Sequence, residues 1–199
     1  TDGARIGGRG GPWPLAARRA APGMKFGKRF KAAQREGWVY LDYKGLKQLV
    51  KQLASLPPDN VKARGRADNQ FLEEIFNGIS LLNAFFLEKE RALLNQLPCH
   101  SAVFECDSLD PELHEQANSF FLEVSSLYAF VVLNYLACLK IMKKHDKHSL
   151  DKQRLRSTVI DTIFHQAFYL SLEHSYLFSE VRRLLQPRPA APHGGHNVL

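Results

Sequence analysis

The sequence predicts an all-α protein: an N-terminal helical hairpin packed on a bundle with two long antiparallel core helices plus shorter C-terminal helices. Three observations carry this. Apolar residues recur at spacings of three and four over two long stretches, Asp68 to Leu97 and Asp110 to about Lys147. Nothing in the chain alternates as a half-buried strand would. The link between the two stretches is short, so the helices it joins should lie antiparallel as a spine.

Residues 1–23 are rich in Gly, Pro, Ala and Arg, with no period that could bury a face, so they read as a disordered or non-native extension with the start at Met24. From Lys25 the character changes. Phe26 and Phe30, one turn apart among bases, mark a short helix that Gly37 should stop. Asp42 is a good N-cap for a second helix, in which Leu46, Leu49, Val50 and Leu53 form the buried stripe and Lys44, Lys47 and Lys51 the opposite side. Leu56-Pro57-Pro58 ends it. Asp59 to Ala67 reads as a basic, Gly-containing loop.

The first long helix spans Asp68 to Leu97, with Phe71, Leu72, Ile75, Phe76, Ile79, Leu82, Phe85 and Phe86 on its apolar side. Gly78 weakens it by about 1 kcal/mol relative to Ala, and Pro98 should close it. After a connection over Cys99 to Ser108, Asp110-Pro111 supplies an N-cap and a first-turn proline for the second long helix. A further helix is expected from Leu150 to Leu172, with Leu155, Val159, Ile163, Phe164 and Ala167 buried, and one more from Ser175 to Leu185. Residues 187–199 read as a disordered tail or the start of a linker, which leaves 24–186 as the domain.

The most informative stretch closes the second long helix. If the helix continues, Lys140, Lys143, Lys144 and Lys147 fall at i, i+3, i+4 and i+7 on one face. Their like-charge pairs one turn apart cost roughly a few tenths of a kcal/mol each unless an anion lies between them. Cations near a helix C-terminus are ordinarily stabilising, by about 0.3–1 kcal/mol each. This stripe, however, continues the azimuth of Leu133 and Leu136, so it is expected to point toward whatever the buried segment packs on.

With 199 residues, 45% of them apolar, the chain is long enough for a substantial core. A net charge of +7 and a pI near 9.4 imply an acidic partner: nucleic acid, an anionic membrane surface or a phosphorylated small molecule. Cys99, Cys106 and Cys138 are odd in number and lack zinc-ligand spacing, which favours a reducing compartment, cytoplasmic or nuclear, and inert thiols. The most apolar window, Phe130 to Leu139, is too short to cross a bilayer, so no transmembrane span is expected.

Signatures of an enzyme are missing: there is no Gly-x-Ser-x-Gly, no Walker-type loop and no Cys-x-x-Cys. His145 and His148 are close in sequence, but no acidic or Cys partner is placed to complete a metal site, and no cofactor is expected. What the chain does carry is three separate basic segments, Lys25/Lys28, Tyr43/Lys44/Lys47/Lys51 and Lys140/Lys143/Lys144/Lys147. Brought together by a hairpin packing on the spine, they would suit a compact polyphosphate, with the Tyr43 hydroxyl as an added donor.

Met24-Lys-Phe-Gly-Lys-Arg-Phe, Tyr43-Lys-Gly-Leu-Lys47 and Lys140-Ile-Met-Lys-Lys-His-Asp-Lys147 resemble, in order and spacing, the three signatures of SPX domains. The resemblance implies a helical hairpin on a bundle with two long core helices. It also implies a non-catalytic receptor for inositol polyphosphates, especially inositol pyrophosphates, through which cells sense phosphate supply. By that likeness Tyr43, Lys47 and Lys144 form the phosphate-binding cluster, Lys140, Lys143 and Lys147 a neighbouring lysine surface, and Lys25 and Lys28 the N-terminal bases near the ligand. Family members signal to a fused effector domain or to a protein partner such as a transcription factor. No effector domain is visible in this chain, and residues 1–23 depart from a pattern that usually begins at the equivalent of Met24. The alternative is a basic helical bundle that docks on nucleic acid or anionic membrane, although it lacks the interleaved aromatics of single-strand binders and any recognition-helix motif.

Overall fold

A computed structural model describes residues 24–105, 110–149 and 152–186. The expected extension, the tail, Cys106 and Leu150 lie outside the described residues. Among the described residues every regular element is helical, as the periodicity predicts.

Helix α1, Phe26–Ala32, ends well before Gly37. Gly37 instead shapes the following turn, where its φ of +75° is the left-handed conformation that glycine adopts without a Cβ penalty. Helix α2, Tyr43–Ser55, starts as expected: the Asp42 carboxylate accepts from the Gly45 N–H at 2.8 Å. Leu46, Val50 and Leu53 are buried and Leu49 partly so, while Lys44, Lys47 and Lys51 are exposed. Leu56 is extended ahead of Pro57, where proline disfavours a helical residue.

Helix α3 is longer at both ends than its periodicity suggests, running Val61–Glu105. The stretch read as a loop is its first turns, and two side chains explain why. The Asn60 amide oxygen caps the helix by accepting from the Ala63 N–H at 3.1 Å. Arg64 is buried by hydrogen bonding, not by apolar pattern. Pro98 lies inside the helix, because the turns beyond it are held by packing: His100 stacks on Phe120 at 4.6 Å, and Phe104 meets Phe121 edge-on at the same separation. Tertiary contact offsets the one backbone bond that proline removes.

Helix α4, Pro111–His145, has the expected Asp110 cap, which accepts from the Glu112 N–H at 2.9 Å. It runs antiparallel to α3, since Asp68 and Phe71 meet His145 at one end and Phe104 meets Phe121 at the other. Phe71, Ile75, Ile79, Leu82 and Phe86 of α3 interleave with Phe120, Val124, Leu127, Val131 and Cys138 of α4 in the core. α4 is the one described helix long and apolar enough to cross a membrane, with an 18-residue stretch of mean hydropathy 1.6, so the short window Phe130 to Leu139 understates it. Its burial of Asn134 and His145 and its packing on the other helices are those of a core helix.

The expected single helix from Leu150 to Leu172 is two, α5 (Lys152–Phe164) and α6 (Ala167–His174). Side chains take the carbonyls at the end of α5, with Thr162 Oγ1 donating to Thr158 O at 2.8 Å, and Asn83 Oδ1 of α3 accepts from the Phe168 N–H at 3.1 Å to start α6. The break changes the register, so Phe168 is buried in place of Phe164, which is 38% exposed. Helix α7, Tyr176–Leu184, is capped by Ser175, whose hydroxyl also donates to Glu90 of α3 at 2.7 Å.

The hairpin is seated on the spine by aromatic rings and one buried hydrogen bond. Trp38 and Tyr40 pack on Phe130 with centroids at 5.8 and 5.5 Å, and the Leu41 N–H donates to Asn134 Oδ1 at 3.0 Å. Gly78 has its reason here: a Cβ on it would stand 2.8 Å from Leu41 Cδ1.

Candidate functional site

Two ties set α2 alongside α4. Leu41, just before α2, bonds to Asn134, and the guanidinium of Arg64 bonds both to the end of α2 (Leu53 O and Leu56 O, 3.4 and 2.9 Å) and to His148 O beyond α4. The two helices therefore run in the same direction over this span. Lys47 of α2 falls between the same two ties as Lys140, Lys143 and Lys144 of α4.

On the hairpin, Lys25 is the N-cap of α1, and both it and Lys28 are exposed. Phe26 and Phe30 pack around Tyr43, with ring centroids 5.1 and 5.8 Å away. Tyr43 is 5% exposed, and burial pushes its phenol pKa up, so the hydroxyl stays a neutral donor. That hydroxyl is buried without a hydrogen-bond partner among the described residues. Lys47, one turn on, is exposed.

At the end of α4 the expected stripe divides. Lys144 continues, at seven-residue spacing, the row of Phe130 and Ala137; Phe130 carries the hairpin aromatics, and Lys144 is half-buried. Lys140 and Lys143 are exposed and follow Leu133 and Leu136, but that row is the outer edge of α4, with Leu136 40% exposed. The expectation that the whole stripe points at packed neighbours is thus corrected, because the helices around α4 leave this edge open. Lys147 is not on the helix at all. The helix closes at His145, whose carbonyl accepts from the N–H groups of His148 and Ser149 at 2.9 and 3.0 Å, and Lys147 sits in the turn.

None of these lysines has an ion pair or hydrogen bond to its side chain among the described residues. The carboxylates on or against the same segments are engaged elsewhere. Asp42 caps α2, Asp68 faces His145, and Asp146 lies 3.7 Å from Arg156 of α5. A groove of about 280 Å3 on another side of α2 is lined by Asp42, Gln48, Gln52 and Glu74, the wrong charge for a polyanion.

No protein-family model matches the chain. SPX domain-containing protein 5 of Oryza sativa subsp. indica is 31% identical over 159 residues, covering 73% of this chain and 60% of that protein. SPX domain-containing protein 3 of Arabidopsis thaliana is 30% identical over 168 residues, covering 73% and 61%. The chain belongs to the SPX domain family. The solved SPX domain of Chaetomium thermophilum glycerophosphodiester phosphodiesterase 1, in complex with inositol hexakisphosphate, has a TM-score of 0.62 at 23% identity over 81% of this chain and 97% of that one, a likeness of fold. An SPX domain-containing membrane protein of Oryza sativa subsp. indica is 31% identical, but this chain spans only 19% of its length.

Of the buried polar cluster under the basic end of α4, the SPX signatures include His145 but neither Asp68 nor Ser149. Asp68 Oδ1 lies 2.9 Å from His145 Nε2, Asp68 Oδ2 accepts from the Ser149 hydroxyl at 3.2 Å, and the His145 ring stacks on Phe71 at 4.1 Å. His145 therefore does have an acidic partner, brought from the start of α3. Sequence carries one signal for this, a histidine placed eleven residues after Asn134 on the buried side of the helix.

Burial lowers the His145 pKa, against the opposing pull of Asp68 and Asp146, while His148 adds to the lowering. A histidine whose folded-state pKa is depressed takes up its proton more readily when unfolded. Stability from His145 is accordingly full above its unfolded pKa of about 6.5 and declines as pH falls from there toward the depressed folded value. Thermal melts between pH 7.5 and 5 should show the midpoint falling with acidification, and His145→Gln, which keeps a donor toward Asp68, should flatten that slope. An equal slope in both proteins would exclude His145 as its source.

Proposed function

We propose that this SPX domain is a non-catalytic sensor that binds inositol polyphosphates and pyrophosphates through Tyr43, Lys47 and Lys144 and passes cellular phosphate status to a protein partner or fused effector. Lys140, Lys143 and Lys147 extend the basic surface on the α4 side, and Lys25 and Lys28 on the α1 side. The observation that carries this is the pairing of unneutralised lysines on two helices with a buried tyrosine hydroxyl that has nothing to bond. The Chaetomium SPX domain solved with inositol hexakisphosphate supports the class of ligand. A polyanion between α2 and α4 would relieve the repulsion among the ammonium groups and give the hydroxyl an acceptor. Helix α1 packs on the Tyr43 ring through Phe26 and Phe30, and among the described residues no side-chain hydrogen bond ties α1 to the bundle. Its position can therefore respond to the ligand, which is how occupancy would reach a partner.

Tyr43→Phe separates binding from folding. Removing an unpartnered buried hydroxyl should leave the free protein as stable or raise its stability by about 1 kcal/mol, while inositol hexakisphosphate binds roughly tenfold more weakly in calorimetric titration. Unchanged affinity would remove Tyr43 from the site. Adding an oligonucleotide distinguishes the broader alternative: if inositol hexakisphosphate fails to displace it and affinity grows with its length, the basic surface is a polymer-docking face.

A further inference from the structure

The lysines assigned to the ligand sit on two segments, α2 and the end of α4, and among the described residues no hydrogen bond or ion pair runs directly between α2 and residues 140–149. What joins them is the start of α3. Arg64 is 8% exposed, and its Nη1 donates to Leu53 O and Leu56 O while its Nη2 donates to His148 O. At the end of α2, Leu53 O accepts from its own helix only the long bond from the cap N–H of Leu56 at 3.3 Å and Leu56 O lies past the last turn, so both keep acceptor capacity at the negative end of the helix dipole, a site suited to a buried cation without a carboxylate. A planar guanidinium with five donors can serve two segments at once, which a single ammonium cannot do in the same geometry.

One turn later in α3, Asp68 holds the same α4 end by a second route, through His145 and the Ser149 hydroxyl. His145 is the residue next to Lys144. The three carbonyls and the Asp68 contacts thus connect both lysine-bearing segments, the end of α2 and the end of α4, to the first turns of α3.

We infer that Arg64, supported by Asp68, is a positioning residue of the anion site: by bonding the end of α2 and the turn after α4 together it holds Lys47 and Lys144 at the spacing one polyphosphate can bridge. The inference rests on the assignment of Lys47 and Lys144 to the ligand. A residue that merely stabilised the fold would lower the melting temperature and leave the cooperation between the two lysines intact. A positioning residue changes that cooperation itself.

The test is a double-mutant cycle with inositol hexakisphosphate, read by calorimetry on the full chain, with thermal melts to show that each variant is folded. Lys47→Ala should weaken binding about tenfold or more in the native background. In an Arg64→Lys background, which keeps the charge but not the two-sided fork, binding should already be weaker and the further loss from Lys47→Ala should shrink to within about twofold, because the ligand no longer bridges. An equal factor in both backgrounds overturns the positioning role. No loss from Lys47→Ala in the native background overturns the site assignment itself, and the inference with it. Should Arg64→Lys fail to fold, Asp68→Asn goes through the same cycle with the same two readings.

Discussion

Phe130→Ala is expected to cost about 3–5 kcal/mol of stability and to weaken inositol hexakisphosphate binding along with it. The ring is 1% exposed and lies where the hairpin meets the spine, with Phe85, Tyr40 and Trp38 at 5.2, 5.5 and 5.8 Å. Truncation leaves a cavity walled by rigid rings, which collapse poorly, so the loss belongs at the upper end of large-to-small changes. Binding should suffer because the residues beside this contact, Leu41 to Tyr43, lead directly into the helix that carries Lys47. Denaturant unfolding reports the first part and calorimetric titration with inositol hexakisphosphate the second. Phe130→Leu, which refills most of the volume, should recover most of both. A loss for Phe130→Ala under about 1 kcal/mol would mean that the hairpin is seated by something else.

The second large effect is on binding alone. Lys47→Ala combined with Lys144→Ala should reduce affinity for inositol hexakisphosphate by about a hundredfold or more, since each lysine supplies a charge-assisted contact of roughly 1.5–3 kcal/mol. Without ligand the melting temperature should hardly move. Lys47 is exposed and without a partner among the described residues. Lys144 gives up a favourable interaction with the α4 dipole of about 0.3–1 kcal/mol, but its removal also ends the like-charge contact with Lys140, worth a few tenths. These nearly cancel. Affinity lost only in step with stability would point to a folding defect in place of a vacated site.

Much of this was legible because it is local. Asp42 and Asp110-Pro111 announce helix starts within a few residues, and the spacing of Phe71, Ile75, Ile79, Leu82 and Phe86 declares one buried face. What escaped depends on partners remote in sequence. Arg64 looked like one base in a basic loop, and only the carbonyls of Leu53, Leu56 and His148 make it a buried residue at the start of a helix. Pro98 looked like a stop, until the packing of His100 and Phe104 carried the helix past it. The run from Leu150 to Leu172 looked continuous, because Asn83, which caps the second piece, belongs to another helix. For the site, the three basic segments could be listed from sequence by charge. Their division, with Lys144 half-buried, Lys140 and Lys143 exposed and Lys147 in a turn, depends on where α4 ends and what surrounds it.

The most direct test is a crystal structure of the chain with inositol hexakisphosphate. One phosphate group is expected within hydrogen-bonding distance of the Tyr43 hydroxyl, the Lys47 amine and the Lys144 amine together, with Lys140, Lys143 or Lys147 on its neighbours. A ligand seated only on the outer edge of α4, with Tyr43 and Lys47 untouched, would contradict the account.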